Sequence, residues 1–178
     1  MAYRSAVLDV SAMTAEQFLS SSREEMQRRF KTVIETEGPI VDDLLQKRVL
    51  RSYGLSKRGR RIQPVLDEVM ASLQAVTTTQ TSCDKHVHQV FWPEAWRDKQ
   101  PLLDWREVRV PSERDITEYP IVELANLMDD IGLKTPKKKL FLATLGRLGF
   151  KKQGTHIRSS FALAYKWAKE RASGKISV

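Results

Sequence analysis

Two ten-residue stretches of the chain share one frame: YGLSKRGRRI at residues 53–62 and LGFKKQGTHI at residues 148–157. They align without a gap, so that Gly54 matches Gly149 and Gly59 matches Gly154, 95 residues further on. Two glycines five residues apart, with an apolar residue after the first, are typical of a compact turn whose apolar member enters the core. The pattern predicts two copies of one helix–helix–turn–helix unit; the alternative is chance convergence of glycine turns.

Apolar residues at helical spacing predict three helices in the first copy, within residues 23–38, 41–53 and 61–74. Ser22 and Glu25 have the spacing of a capping box, and Gly38 is predicted to end the first helix in the left-handed conformation. Threonine, valine and aromatic residues then predict two short strands, within 75–79 and 86–92, joined by a turn at 82–84. Three helices followed by a hairpin is the order of a winged helix-turn-helix.

The second copy is predicted to be helical throughout, within residues 121–132, 135–149 and 155–174. Thr135 and Thr155 are the predicted N-caps, and Pro136 takes the first helical position. We therefore predict a mainly α fold with a small β-hairpin, arranged as tandem winged-helix or helix-turn-helix-like repeats. The predicted domains are a three-helix module with a hairpin wing at 1–92, a connector with little regular structure at 93–117, and a basic helical module at 118–178.

Positive charge is concentrated at the C-terminal end of the sequence. Residues 134–178 contain twelve Lys and Arg against one acidic residue, net +11, whereas residues 76–133 carry −5 and residues 1–75 carry +2. A folded segment so one-sided predicts binding to a polyanion, of which nucleic acid is the commonest. The alternative interpretation is a solvated basic surface that maintains solubility.

The basic turns each precede a predicted helix N-terminus, where free backbone N–H groups and the helix dipole attract anions. We predict that cations at these turns contact phosphate, and in a helix-turn-helix the third helix enters the major groove. Gln63 and Gln153 are the only Asn or Gln side chains placed for base recognition, so weak sequence specificity is expected. The predicted nucleic-acid-binding residues are Lys57, Arg58, Arg60, Arg61, Lys137, Lys138, Lys139, Lys151, Lys152 and Arg158.

Other chemistries have little support in the sequence. Cys83, His86 and His88 offer three metal ligands, but zinc usually takes four and no second Cys/His cluster is present, so we predict no metal and no cofactor. The carboxylates of residues 42–43 and 129–130 are adjacent on predicted helices and point in different directions. Phosphate-loop, serine-hydrolase and zinc-protease motifs are absent from the sequence. We expect no catalytic residue and no enzymatic activity.

Aromatic side chains near the connector allow two interpretations. Phe91, Trp92, Trp96 and Trp105 could stack on nucleobases, but they lie in a net acidic segment, so packing within the protein is favoured.

The single cysteine excludes an intrachain disulfide, and no apolar run approaches the roughly 20 residues of a membrane span. With no predicted signal peptide, a cytoplasmic location is expected.

Five segments occur in a characteristic order: ETEGPIVDDLLQKRV, YGLSKRGRRI, VFWP, VRVPSERDITEYPIVELANLM and LGFKKQGTHI. Over about residues 3–167 the chain resembles an uncharacterised bacterial domain found near the C-terminus of very large superfamily I helicase-related proteins, often near an endonuclease-like domain. Arg60 is a departure, because the residue after the second glycine of the turn is usually small and polar. The resemblance implies a DNA- or RNA-helicase context and supplies no catalytic residue.

Together these features predict a non-catalytic, nucleic-acid-binding accessory domain, with DNA a more expected partner than RNA. The alternative is a protein–protein interaction module that docks helicase or nuclease domains of a parent protein. Neither hypothesis involves a membrane.

Overall fold

A computed structural model of the chain describes residues 2–82, 85–109 and 114–176. It confirms the predicted fold class: a mainly helical protein with a small antiparallel sheet. Two short 3-10 helices lie at Glu94–Trp96 and Ile116–Glu118. The other elements among the described residues are α1 (Ala15–Leu19), α2 (Arg23–Glu37), β1 (Ile40–Val41), α3 (Asp42–Ser52), α4 (Ile62–Ala71), β2 (Val76–Thr81), β3 (Val87–Trp92), α5 (Pro101–Asp104), α6 (Ile121–Ile131), α7 (Lys137–Arg147) and α8 (Thr155–Ala172).

The chain forms two compact units. The N-terminal unit contains Arg4–Thr77 and Val90–Arg97. The C-terminal unit contains the described parts of Met1–Tyr3, Thr78–Gln89 and Asp98–Val178. The end of the hairpin is thus grouped with the C-terminal helices, whereas the domain boundaries at residues 92 and 117 stay a prediction.

Helix α2 forms the centre of the N-terminal unit because its apolar residues repeat at helical spacing. Met26, Phe30 and Val33 are fully buried. Ser22 is the N-cap, as predicted, and its hydroxyl accepts from the Glu25 amide at 3.3 Å. The other half of the predicted capping box is wrong, because the Glu25 carboxylate accepts hydrogen bonds from Arg28 and Arg29 instead.

The conformation predicted for Gly38 is also wrong. It has φ −58° and ψ 145°, so it does not take the left-handed conformation expected at the end of α2. A Cβ at this position would lie 2.5 Å from the Ile34 carbonyl oxygen and 2.7 Å from the Pro93 Cδ. Glycine is therefore required by close packing rather than by backbone conformation.

The sheet contains one strand more than the predicted hairpin. The two-residue strand β1 pairs antiparallel with β3, with Ile40 opposite Phe91 and Val41 opposite Val90, and the strand order is β1-β3-β2. All four side chains are buried. At the predicted turn, Ser82 donates its amide to the His86 carbonyl at 2.8 Å; Cys83 and Asp84 lie outside the described residues.

The connector contains more regular structure than predicted, namely α5 and the two 3-10 helices. The tryptophans in and next to the connector are mainly packed: Trp92 and Trp105 are each 1 % exposed, and the ring centroids of Trp92 and Trp96 are 5.9 Å apart. Burial makes Trp92 and Trp105 unavailable for base stacking, as the packing interpretation requires.

In the C-terminal unit α6 packs against both α7 and α8. The core includes Leu124, Met128, Leu140 and Phe161. Helices α7 and α8 begin one residue later and one residue earlier than predicted. Pro136 therefore precedes α7, and Thr155 is the first residue of α8 rather than its cap.

The two glycine turns have the same backbone geometry. Gly54 has φ +74° and Gly149 has φ +75°, which confirms the positive φ predicted for both. The amide of the following residue, Leu55 or Phe150, bonds to the carbonyl five residues earlier, at 3.2 and 3.1 Å. This closure is that of a Schellman-type helix end.

The helices that precede the two turns coincide at the same offset of 95 residues. α3 and α7 occupy equivalent positions from their first residue to their last. Buried positions match as well: Leu45, Val49, Leu50, Tyr53 and Leu66 correspond to Leu140, Thr144, Leu145, Leu148 and Phe161. Superposition of the two helical modules, about residues 20–75 and 118–172, stays a prediction.

Neighbouring atoms crowd Gly54 but not Gly149, so the same substitution should be more destabilising at Gly54 than at Gly149. Gly54→Val should destabilise the fold by about 2 kcal/mol or more, because its Cβ would lie 3.1 Å from the Ala12 Cα in addition to the strain of positive φ. Gly149→Val, whose Cβ would meet no described atom within 4 Å, should cost only the backbone strain of about 1–2 kcal/mol. Denaturant unfolding measures both, and an unchanged stability for Gly149→Val would contradict the turn geometry.

Candidate nucleic-acid interface

All ten predicted cations are exposed. They fall into three groups: the turn before α4, the first turn of α7, and the turn leading into α8 with the first residues of that helix. Exposure is necessary for phosphate contact but does not distinguish the groups. The three groups differ in whether their cations pair with carboxylates of the protein.

The basic turn before α4 is largely neutralised from within the N-terminal unit. Arg58 donates to the Asp43 carboxylate at 2.6 Å and to Gln46 at 3.0 Å. Arg61 donates twice to Glu16, at 2.5 and 3.1 Å. The hydrogen bond that Arg61 donates to Glu16 raises the pKa of the Arg61 guanidinium above its usual value. These two arginines are therefore already engaged by carboxylates.

Two other cations of the same turn remain available. Lys57 and Arg60 form no ion pair with any described residue. The available charge of this turn is thus about half of what the sequence predicts.

The turn before α8 has no comparable counter-charges. Lys151, Lys152 and Arg158 form no ion pair within the described ranges. Glu170, the only acidic residue after position 133, lies 3.8 Å from Lys166. This turn therefore presents three free cations to solvent.

Asp129 and Asp130 of α6 pair with other arginines of the C-terminal unit. Asp130 pairs with Arg147 at 3.2 Å and Asp129 with Arg171 at 3.5 Å. Burial and the nearby Arg106 lower the pKa of Arg171 to about 10, against the opposing effect of Asp129. Neither carboxylate neutralises the turn before α8.

The first turn of α7 carries Lys137, Lys138 and Lys139. The Lys137 ammonium lies 5.5 Å from the ring centroids of Phe141 and Tyr165, whereas Lys138 and Lys139 have no ion-pair partner among residues the structure describes. Cations at a helix N-terminus oppose the helix dipole. The equivalent positions of the first copy carry Asp42 and Asp43, which the dipole favours. Folding alone therefore does not account for lysines here.

The two lysine groups of the C-terminal unit do not converge on one point. The Phe141 ring of α7 packs edge-on against Phe161 and Tyr165 of α8. α7 has eleven residues and is about 16 Å long; Lys137–Lys139 form its first turn, and Lys151 and Lys152 follow its last. Cations thus lie at both ends of α7.

Gln63, one of the two glutamines predicted for base recognition, is already bonded within the protein. The Gln63 amide donates to Gln46 and Asp67, at 3.0 and 2.7 Å, so it is not free for base recognition. Neither α4 nor α8 has a side-chain cap; the N-cap residues are Arg61 and Gly154. The first turn of each helix therefore has backbone N–H groups that no cap side chain occupies.

The structure describes two of the three candidate metal ligands, His86 and His88. His86 and His88 have ring centroids 5.1 Å apart, and His88 is buried. Cys83 lies outside the described residues, so the absence of a metal site stays a prediction.

Among the described residues, no helix is both long and apolar enough to cross a membrane.

Comparison with known proteins supports the resemblance in its coarser form. Residues 16–64 match the model of a family described as a protein of unknown function (DUF3320). The match contains α2, α3, the first glycine turn and the start of α4. A search of curated proteins and a search of solved structures each found no significant match.

Proposed function

We propose that the chain is a non-catalytic accessory domain that binds nucleic acid, DNA in preference to RNA, through phosphate contacts with weak sequence specificity. The carrying observation is the difference between the two basic turns. Arg58 and Arg61 are paired with carboxylates, whereas Lys151, Lys152 and Arg158 form no ion pair with a described residue. Around α7 and the start of α8, the predicted cations without an ion pair or an aromatic ring contact to a described residue are Lys138, Lys139, Lys151, Lys152 and Arg158.

The electrostatics favour a polyanion over a single small anion. Free cations lie at both ends of a helix about 16 Å long, which is too far apart for one phosphate group. A polymer with regularly spaced phosphates can contact both ends at once and releases condensed counterions when it does so. The proposed context is a helicase-related parent protein in the cytoplasm, and the resemblance to helicase-associated domains supports it.

A second candidate function is docking of a helicase or nuclease domain. It is favoured by Val7 and Val10, whose side chains are 94 % and 75 % exposed in the N-terminal unit. Exposed apolar side chains contribute more to protein–protein contacts than to phosphate contacts.

Salt dependence separates the two functions. Roughly five phosphate contacts should give a slope near −4.5 in a plot of log affinity against log salt, a loss of several hundredfold between about 50 and 200 mM. We expect this result for DNA by fluorescence anisotropy. Undetectable binding to DNA and RNA at low salt would reject nucleic-acid binding and favour the docking function.

A further inference from the structure

We propose that the exposed face of α7, rather than the third helix α8, seats in the major groove of duplex DNA; this rests on the proposed function. The face consists of Lys138, Lys139, Leu142, Ala143 and Gly146, all exposed. At 100° per residue they span an arc of about 140°, opposite the buried Leu140, Thr144 and Leu145. No other described element covers this face.

Shape supports the assignment. Between the lysines of its first turn and those of the following turn, α7 exposes only Leu142, Ala143 and Gly146 before Arg147. The equivalent residues of α3 in the first copy are Lys47, Arg48 and Arg51, which are much longer. The exposed side of α7 therefore allows a closer approach than the same side of α3.

Gly146 is not required by the fold. It lies within α7 without a positive φ, and an added Cβ would meet no described atom within 4 Å. Glycine inside a helix is less stable than alanine, so its presence on an open face indicates that something else must come close. Arg51 occupies the equivalent position of α3, which shows that the unit tolerates a large side chain there.

Charge and dimensions fit duplex DNA. An α-helix about 10–12 Å across fits the roughly 12 Å major groove, and free lysines lie at both ends of α7, a helix about 16 Å long, where they can contact the phosphates beside the groove. An α-helix enters that groove, whereas the major groove of double-stranded RNA is too deep and narrow for it. Single strands are disfavoured because no aromatic side chain is among the exposed large hydrophobic residues of the described chain.

Helix α8 is less suited to the same role. Its exposed side includes Lys166, which lies 3.8 Å from Glu170, and Lys169, whose ammonium lies 5.7 Å from the Tyr165 ring centroid. Glu170 would repel phosphate. Ala162 of α8 is exposed, so a substitution there provides a matched control for substitutions on α7.

The test adds the same neutral side chain to each helix. Gly146→Gln and Ala143→Gln, on α7, should each weaken duplex DNA binding roughly tenfold, the loss of one or two backbone contacts. Ala162→Gln, on α8, should change affinity by less than about twofold. Gly146→Gln should not lower the melting temperature, because glutamine is the better helix former; its loss of binding would therefore not reflect unfolding.

Four outcomes would overturn the inference. If the wild-type chain binds DNA with the expected salt dependence but the α7 variants bind equally well, the proposed function stands and the assignment to α7 is wrong. If Ala162→Gln is the damaging change, α8 is the contact element. Equal or tighter binding to double-stranded RNA or to single strands rejects duplex DNA as the ligand. Absence of all binding rejects the proposed function together with the inference.

Discussion

Glu123→Gln should lower the free energy of unfolding of the C-terminal unit by about 3–5 kcal/mol. The side chains of Glu123 and Arg114 are only 2 % and 1 % exposed and pair through two parallel hydrogen bonds, of which that from Nη1 to Oε2 measures 2.9 Å. Burial opposes the charge of Arg114, but Glu123 outweighs it and raises the pKa of the guanidinium. The amide of glutamine would leave a buried cation without its counter-charge. Denaturant unfolding measures the loss.

A double variant controls for side-chain size. Arg114→Met combined with Glu123→Leu should recover most of the stability, because apolar side chains of similar volume often replace a buried ion pair at little cost. The Arg114 guanidinium lies 4.0 Å from the ring centroids of both Tyr3 and Tyr119, and methionine also packs well against aromatic rings. A Glu123→Gln variant within about 1 kcal/mol of wild type would contradict the account.

Arg29→Met should destabilise the N-terminal unit by about 3 kcal/mol or more. The Arg29 side chain is 9 % exposed, and its guanidinium carbon lies 4.2 Å from the Tyr53 ring centroid. It pairs with Glu25 and donates to the carbonyls of Asp9 and Ser52 at 2.8 and 3.2 Å. Methionine would remove these bonds and the contact between Asp9 and α2, although the Ser11 amide would still donate to the Ser52 carbonyl.

Arg28 provides the matched control, because it pairs with the same Glu25 but is 72 % exposed. Arg28→Met should leave the melting temperature almost unchanged, since exposed ion pairs contribute little. Equal melting temperatures for the Arg28 and Arg29 variants would show that burial of Arg29 is not what stabilises this unit.

The helices and both glycine turns were predictable because the signals for them are local. Apolar spacing indicated α2, α3, α6, α7 and α8, and positive φ followed from a glycine placed where each helix must stop. The short elements were missed for a physical reason. α1 has five residues and β1 only two, which is too few for a periodic pattern, and β1 is defined by pairing with residues 90 and 91 of β3.

The candidate site was predictable in composition but not in its pairing. The sequence identifies every cation, but Arg58 is neutralised by Asp43, 15 residues away, and Arg61 by Glu16, 45 residues away. Gly38 illustrates the same point, because the proline that crowds it comes from residue 93. Long-range contacts determine which charges remain available, and local pattern does not reveal them.

Binding through the unpaired cations of the C-terminal unit is tested most directly by comparing two double charge reversals of equal size. Lys151→Glu with Lys152→Glu changes the unpaired turn of the C-terminal unit, and Arg58→Glu with Arg61→Glu changes the paired turn of the N-terminal unit. Anisotropy titrations with several duplex sequences at low salt should show a loss of at least roughly tenfold for the lysine variant, even across sequences, and of less than about threefold for the arginine variant. Adding Lys138→Glu should deepen the first loss. Equal losses in the two variants, or a greater loss in the arginine variant, would contradict the claim that the unpaired C-terminal cations carry the binding.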